Sequence, residues 1–339
     1  MKAVAALSAK DRRDLFTETG VRMGLPPFHV EKDFWVCWTL AALFEDSNTG
    51  PHLTFRGGTS LSKAWGIIER FSEDIDLAMA RTWLGDAADP GEVGISTSEK
   101  ERRLKALRDE CRIAVAEQLT PALKAAADNT LSESFGLEVE SLEKARDPFC
   151  LFFEYPGTGL KPPADYNKAV VKIELSGRAD GWPMESREIR PYVSEQFPEI
   201  TGDVTLQLSC VRPERTFWEK AALLHEQNTR TGDKPLVALQ ARHLYDLVRL
   251  WNVAKVSEAK GFRGLFEGVK AHRAAFFDYA WVNYEELKPS ALQLIPPKQR
   301  LSAWRADYDA MQAMFYGERM KFPDLLKAIE SIQQALSSQ

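Results

Sequence analysis

Cysteine and histidine are scarce in this sequence of 339 residues, which contains four Cys and five His. The cysteines are far apart and form no CxxC pair, and the histidines form no HxxxH or HxH pair. Structural zinc sites and dithiol redox sites need such ligands close together in the sequence. This scarcity argues against a zinc or redox centre and predicts buried, reduced thiols.

Long hydrophobic runs are also absent. No apolar run approaches the roughly 20 residues that a membrane-spanning helix requires. The N-terminal segment MKAVAALSAKDRRDLF meets charge from Lys10 onward, whereas a secretory signal has a longer apolar core. Because 44% of the residues are hydrophobic and 27% are charged, the composition is that of an ordinary globular protein. We therefore expect a cytoplasmic protein, with no membrane partner.

A strong net charge of one sign is missing as well, since the formal net charge is −5. Residues 1–210 hold 25 Lys/Arg and 34 Asp/Glu, a net of −9, whereas residues 211–300 hold 15 and 10, a net of +5. An acidic front part that holds a metal, with a basic back part, would suit a polyanionic substrate. A surplus of five positive charges is also compatible with ordinary solvated surface.

The hydrophobic pattern changes near residue 210. Before it, the pattern predicts helices near 8–20, 28–45 and 100–127, a strand over 74–78, and a β-rich stretch between 135 and 209. After Pro213 it predicts only helices, near 214–228, 237–251, 258–277, 300–314 and 323–336. We therefore predict an α+β fold, with a mixed α/β domain over residues 1–210 and an all-helical domain over residues 211–339.

Asp74 and Asp76 stand two residues apart in the predicted strand of SEDIDLAMA. Side chains at i and i+2 of a strand point to one face, about 7 Å apart along the backbone, so Ile75 and Leu77 face a core. Two such carboxylates are costly unless a cation lies between them, and Mg²⁺ prefers carboxylate and phosphate oxygens. The pair predicts a magnesium site, although a DxD by itself is usually a solvated strand or loop.

The segment FRGGTSLSK (residues 55–63) predicts a strand end, a Gly-Gly turn and a helix start. Gly57 and Gly58 let the backbone approach a ligand closely, and a helix start offers N–H groups to phosphate. Ser60 could add a hydroxyl to the β- or γ-phosphate, and Thr59 or Ser60 could cap the helix. Such a segment alone is often only a tight turn.

Glu174 lies in the middle of the apolar segment VVKIELSG (residues 170–177), where a charge needs a reason. As a third carboxylate it would complete a two-metal site for in-line phosphoryl transfer. The alternative is a glutamate that faces solvent on an edge strand. In the order turn, helix, DxD strand and third acid, these features together indicate a metal-dependent site for phosphoryl transfer.

Two charged residues of the predicted helices are further candidates. Lys220 lies near an apolar stripe, where it either contacts a buried anion such as a triphosphate or forms a surface pair with Glu219. Asp246 stands four residues after Arg242, so it either forms an ordinary intrahelical ion pair or orients Lys220 or an attacking hydroxyl.

These segments resemble the nucleotidyltransferases of the AbiEii/AbiGii abortive-infection toxin family, within the DNA polymerase β superfamily. VEKDFW (residues 30–35) looks like the helix that precedes the Gly-Gly turn in that family, and its Glu31, Lys32 and Asp33 either brace the site or form a solvated charge cluster. RTFWEKAA (residues 215–222) and RHLYDL (residues 242–247) look like its two later motifs. The resemblance covers about residues 28–251.

The resemblance implies a polymerase β-type nucleotidyltransferase lobe with a mixed sheet and a helical lobe that clasps the active site. It implies a nucleotide-binding set of Gly57, Gly58, Thr59, Ser60, Lys63 and Lys220; a catalytic set of Asp74, Asp76, Lys220 and Asp246; and a metal set of Asp74, Asp76 and Glu174. Two Mg²⁺ ions and an NTP substrate are expected. The third acid is Glu here, where the family has Asp.

The resemblance also implies a phage-defence toxin with a cognate antitoxin. The expected reaction moves a nucleotide from an NTP to an acceptor, in the first place the 3′ end of tRNA. Two alternatives stay open. The acceptor could be a hydroxyl of a protein or a small molecule, or the chain could be a non-catalytic NTP-binding module.

Overall fold

The computed structural model describes residues 1–85, 89–140, 148–161, 169–202, 204–230, 235–317 and 319–338. The chain divides into two compact units. The first, here called the sheet unit, comprises Met1–Ala64, Phe71–Ala88 and Arg103–Val211. The second, the helical unit, comprises Trp65–Arg70, Asp89–Arg102 and Arg212–Gln339.

Strands and helices both occur up to Val211, and the described residues after it form helices but no strand. The strands are β1 Leu53–Arg56, β2 Ile75–Met79, β3 Gly136–Val139, β4 Phe149–Glu154, β5 Val170–Ser176, β6 Met184–Ile189 and β7 Leu206–Val211. The helices before residue 211 are α1 Lys2–Ala5, α2 Ala9–Met23, α3 Pro27–Phe44, α4 Gly57–Lys63, α5 Thr97–Ala114, α6 Thr120–Thr130, α7 Tyr192–Gln196 and α8 Pro198–Thr201. The later helices are α9 Pro213–Thr229, α10 Arg242–Asn252, α11 Phe262–Phe276, α12 Leu301–Ala310 and α13 Phe322–Ser337.

The strands form one mixed sheet in the order β3-β4-β5-β2-β1-β7-β6. The β2–β5 and β1–β7 pairs are parallel, and the other neighbouring pairs are antiparallel. This arrangement fits the predicted α+β class with a mixed sheet. Since β5 lies between β4 and β2, the alternative that Glu174 stands on an edge strand is wrong.

Helix α3 lies inside the sheet unit and is buried on nearly all of its faces. The Trp35 ring stacks on Tyr155 with centroids 5.3 Å apart, and the Trp38 ring stacks on Phe153 of β4 at 5.2 Å. Large aromatic rings bury much apolar area, so these contacts fix the helix on the sheet. The charged residues of α3 are consequently carried into the interior.

The long helix predicted over 100–127 is interrupted, in agreement with the bend that Pro121 predicts. Helix α5 ends at Ala114, a π-helical turn covers Val115–Leu119, and α6 begins at Thr120. Pro121 lacks a backbone N–H, and its ring excludes the carbonyl four residues earlier, which breaks regular α-helical bonding. The Thr120 hydroxyl donates to the carbonyl of Val115 at 2.7 Å.

The helical unit is centred on α9. Its Trp218 ring stacks on Phe262 of α11 with centroids 4.6 Å apart, and its indole N–H donates to the Phe262 carbonyl at 2.6 Å. Glu226 forms a buried ion pair with Arg273 and accepts a hydrogen bond from the Tyr284 hydroxyl at 2.7 Å. Among the helices of the described ranges, none is both long and apolar enough to cross a bilayer.

His29 on α3 provides a test of the sheet unit's interior. It is buried and stacked on Phe71 with centroids 4.0 Å apart, and burial lowers its pKa to about 4. Below its unfolded pKa of about 6.5, the unfolded chain binds a proton that the folded chain does not, so stability falls as the pH falls. Because of this residue, we expect chemical denaturation to give a free energy of unfolding that is about 2 kcal/mol lower at about pH 5 than at about pH 7.5.

The variant His29→Phe keeps an aromatic ring and removes the titrating group. The decrease in its free energy of unfolding between about pH 7.5 and about pH 5 should therefore be smaller than that of the wild-type protein by about 2 kcal/mol. Equal pH dependence in both proteins would contradict the assignment of a neutral, buried imidazole.

Candidate active site

Helix α4 begins directly at the Gly-Gly pair. Its first residue is Gly57, immediately after β1, and Arg56 is the N-cap with no side-chain capping bond. The prediction that Thr59 or Ser60 caps the helix is wrong, because the helix starts before them. Since the first N–H groups of a helix have no intrahelical partner, this helix start presents donors suited to phosphate oxygens.

Gly57 lies against the carboxylate of Asp76. Strands β1 and β2 pair so that Arg56 stands opposite Asp76, which brings the turn next to that carboxylate. A Cβ atom on Gly57 would lie 1.9 Å from Oδ2 of Asp76, and the φ angle of Gly57 is +76°. Both facts require glycine at this position, and they join the turn and the carboxylate strand into one site.

The Thr59 side chain holds the other aspartate in place. Its hydroxyl donates to the backbone carbonyl of Asp74 at 2.5 Å and lies 3.0 Å from the Ser72 hydroxyl. Ser60 is also buried, and its hydroxyl makes no hydrogen bond within the described ranges. The predicted nucleotide contacts of Thr59 and Ser60 stay predictions, whereas the contact of Thr59 with Asp74 is a feature of the fold.

Glu174 stands directly beside Asp76. The two residues are register partners in the parallel β2–β5 pair, and the Glu174 carboxylate forms an ion pair with Lys172. Alternation along β2 and β5 buries Ile75 and Ile173 and leaves Asp76 and Glu174 partly exposed. Asp74, predicted as the first residue of the strand, lies immediately before β2, and its place on the same face as Asp76 stays a prediction.

Asp74 and Asp76 have the donor chemistry for a magnesium ion. Within the described ranges, no three Asp, Glu, His or Cys side chains are gathered into a metal-binding group. Two carboxylates beside a glycine turn nevertheless fit a hard cation that takes further oxygens from other ligands and water. Asp74 and Asp76 are thus the fitting donors, and the role of Glu174 as a third ligand stays a prediction.

Lys63, at the end of α4, is held inside the sheet unit. Its side chain is 5% exposed, and Nζ lies 2.7 Å from Oδ1 of Asp33. Although burial opposes the charge, Asp33 raises the pKa of Lys63, so the ammonium stays protonated. A direct contact of Lys63 with nucleotide stays a prediction.

Lys220 and Asp246 meet in the helical unit. Asp246 is 0% exposed, and its carboxylate accepts two hydrogen bonds of 2.7 Å from Arg70 and forms an ion pair of 2.8 Å with Lys220. The alternative of an ordinary ion pair with Arg242 is therefore wrong. So is the surface pair of Lys220 with Glu219, because Lys220 is only 6% exposed.

Burial and neighbouring charges shift the pKa values of Asp246, Lys220 and His243. Burial alone would raise the pKa of Asp246, but the charges of Arg70 and Lys220 outweigh it and hold that pKa below its ordinary range. Burial lowers the pKa of Lys220, and the nearby Arg70 guanidinium acts in the same direction. His243, whose Nδ1 lies 3.4 Å from Nζ of Lys220, has a pKa well below its ordinary value because of burial and that neighbouring charge. The imidazole is therefore neutral.

Sequence reasoning missed Arg70 and Lys172. Arg70 is separated from Asp246 by 176 positions, and no periodic pattern links such residues. Lys172 stands two positions before Glu174, on the same strand face, so that spacing was a signal for an ion pair.

Removing the charge of Asp246 should destabilise the protein strongly. Asp246→Asn leaves Arg70 and Lys220 buried without their counter-charge, which costs about 3–5 kcal/mol in comparable buried pairs. We expect urea denaturation at neutral pH to show a loss of this size. The control is Glu69→Gln, because half-exposed Glu69 pairs with Arg249 at 3.1 Å and should contribute less than about 1 kcal/mol. Similar losses in the two variants would contradict this assignment.

Comparison with known proteins identifies the family of the chain. A search of curated proteins found no match to the chain. Residues 38–337 match the family described as nucleotidyl transferase AbiEii toxin, type IV toxin–antitoxin system. That range contains the Gly-Gly helix, both aspartates, Glu174, Lys220 and Asp246. The chain therefore belongs to the AbiEii family of nucleotidyltransferase toxins.

Proposed function

We propose that this toxin transfers a nucleotide from an NTP to the 3′ end of tRNA in a magnesium-dependent reaction. The observation that carries the proposal is the approach of Gly57 to the Asp76 carboxylate, since it places a phosphate-binding helix start beside the metal-binding donors. Family membership supports the NTP substrate and implies a cognate antitoxin. We also propose a role in defence against phage, which the family resemblance implies.

The chain's own residues have separate tasks in this reaction. The N–H groups at the start of α4 and the Ser60 hydroxyl bind the triphosphate, and Asp74 and Asp76 hold magnesium, with Glu174 as a third ligand. Magnesium there would neutralise charge on the attacking and leaving oxygens. In the transfer, the acceptor oxygen bonds to the α-phosphorus, the bond to the bridging oxygen breaks, pyrophosphate leaves, and the hydroxyl proton passes to solvent.

The resemblance and the charge distribution support tRNA as the acceptor. Residues 211–300 carry a net charge of +5 against −9 for residues 1–210, and a surplus of basic residues favours a polyanion over a neutral small molecule. Lys220 is proposed as a nucleotide-contacting residue and Asp246 as the group that orients it. We also propose that residues 1–210 form the nucleotidyltransferase lobe and residues 211–339 the helical lobe.

Incubation with Mg²⁺, total tRNA and each α-labelled NTP in turn tests the acceptor and the metal together. We expect label in tRNA with the wild-type protein, and none with a chelator or with Asp74→Asn/Asp76→Asn. The control Glu185→Gln/Glu188→Gln removes two exposed carboxylates from the edge strand β6 and should transfer normally. Label on protein or on small molecules alone would overturn the tRNA assignment. Binding of NTP without transfer to any acceptor would overturn the proposal that the protein catalyses this reaction.

The close packing of the turn predicts the effect of Gly57→Ala. The added methyl group overlaps the Asp76 carboxylate and forces it to move, and displacement of about 1 Å at such a site can cost about a hundredfold in rate. The control is Gly66→Ala, because Gly66 has φ of +62° with open space around its Cβ position. We expect steady-state transfer assays to show a loss of at least about a hundredfold for Gly57→Ala alone. Equal activity of the two variants would contradict the role of this contact.

A further inference from the structure

Three consecutive charged residues are buried in α3. Glu31, Lys32 and Asp33 are 1%, 4% and 8% exposed. The alternative of a solvated charge cluster is therefore wrong. Burying a charge is costly unless a partner compensates it, so the partners of these residues indicate what they are for.

Asp33 binds the end of the Gly-Gly helix. Its Oδ1 lies 2.7 Å from Nζ of Lys63, the last residue of α4, and its Oδ2 accepts a hydrogen bond of 2.7 Å from the backbone N–H of Tyr192. The Lys63 ammonium also lies 3.7 Å from the centroid of the Tyr192 ring. Both carboxylate oxygens are thus used, and α4 is fixed to α3 at the end opposite its phosphate-binding start.

Lys32 binds the segment that leads into the aspartate strand. Its Nζ lies 2.9 Å from Oε2 of Glu73, the residue immediately before Asp74. The same ammonium donates to the backbone carbonyl of Val170, the first residue of β5, which carries Glu174. Lys32 therefore connects the starts of the two strands that bear the acidic residues.

Helix geometry explains why neighbouring residues reach different elements. Successive side chains on an α-helix point about 100° apart, so Lys32 and Asp33 diverge. Glu31 diverges again and accepts a hydrogen bond of 2.8 Å from the backbone N–H of Thr158, which belongs to neither the Gly-Gly turn nor the aspartate strand. One helical turn thus places two residues against segments of the candidate site and a third residue against another segment.

We propose that Lys32 and Asp33 are positioning residues of the nucleotide site: Asp33 holds the phosphate-binding helix through Lys63, and Lys32 holds Asp74 in place through Glu73. The proposal rests on the proposed function for its catalytic consequence. It assigns separate tasks to the two residues. Loss of Asp33 loosens the triphosphate site, and loss of Lys32 loosens the carboxylate site.

Steady-state kinetics with Asp33→Asn, Lys32→Met and the control Glu31→Gln test this division. Asp33→Asn keeps the volume and an acceptor for Tyr192, and it should raise the KM for NTP about tenfold with a smaller change in kcat. Lys32→Met should lower kcat by about a hundredfold, since the carboxylates act on the reacting phosphate. Glu31→Gln should change neither constant by more than about twofold.

Hydrogen–deuterium exchange gives a readout that does not depend on activity. Asp33→Asn should speed exchange in residues 57–64 by about tenfold, and Lys32→Met should do so in residues 71–76. Glu31→Gln should leave both segments unchanged. Wild-type protein that transfers no nucleotide would overturn the proposed function, whereas the exchange pattern would still decide the positioning roles.

The partners of Lys32 and Asp33 provide second variants if the first ones do not fold. Glu73→Gln removes the Lys32 contact from its more exposed end, and Lys63→Met removes the Asp33 contact. If Lys63 acts only through Asp33, the double variant Asp33→Asn/Lys63→Met should be no worse than either single variant. Equal losses in all three α3 variants, or unchanged exchange in residues 57–64 and 71–76, would overturn the proposal.

Discussion

The Asp76 carboxylate lies so close to Gly57 that any side chain at position 57 would overlap it. This contact depends on the register of β1 and β2, which sets Arg56 opposite Asp76. The same register makes α4 begin at the level of the aspartates, and the parallel pairing with β5 sets Glu174 beside Asp76. A slip of one residue would turn these acidic side chains to the buried face of the sheet. The positions of Gly57, Asp76 and Glu174 in the candidate site therefore depend on how β2 pairs with β1 and with β5.

Buried ion pairs fix the elements that carry the site residues. Within the sheet unit, Asp33 binds Lys63 and Lys32 binds Glu73. Within the helical unit, Asp246 binds Arg70 and Lys220 together. Such pairs add little net stability because desolvation offsets their attraction. Their directional geometry instead specifies where each partner lies, which suits a site that must hold a nucleotide in one orientation.

Burial separates the candidate ligand-binding residues from the residues that hold them in position. Asp74, Asp76 and the start of α4 are partly exposed. Asp246, Lys63 and Thr59 are largely inaccessible and already bonded to other parts of the chain. The candidate site residues therefore include groups of both kinds, and burial distinguishes them.

Local pattern alone predicted the strand that carries Asp76, a helix next to the Gly-Gly pair (with its start placed too late), the buried face of Ile75 and Leu77, and the helices after Pro213. These features follow from periodicity and turn chemistry over a few residues, so a sequence is sufficient to predict them. The sequence also identified the charged residues, but left open whether Glu31, Lys32, Asp33, Lys220 and Asp246 were solvated. Only the tertiary structure decided that they are buried and that Asp246 meets Arg70, 176 positions away. The physical reason is that a charge takes its partner from whatever the fold brings near, and local spacing carries no information about distant segments.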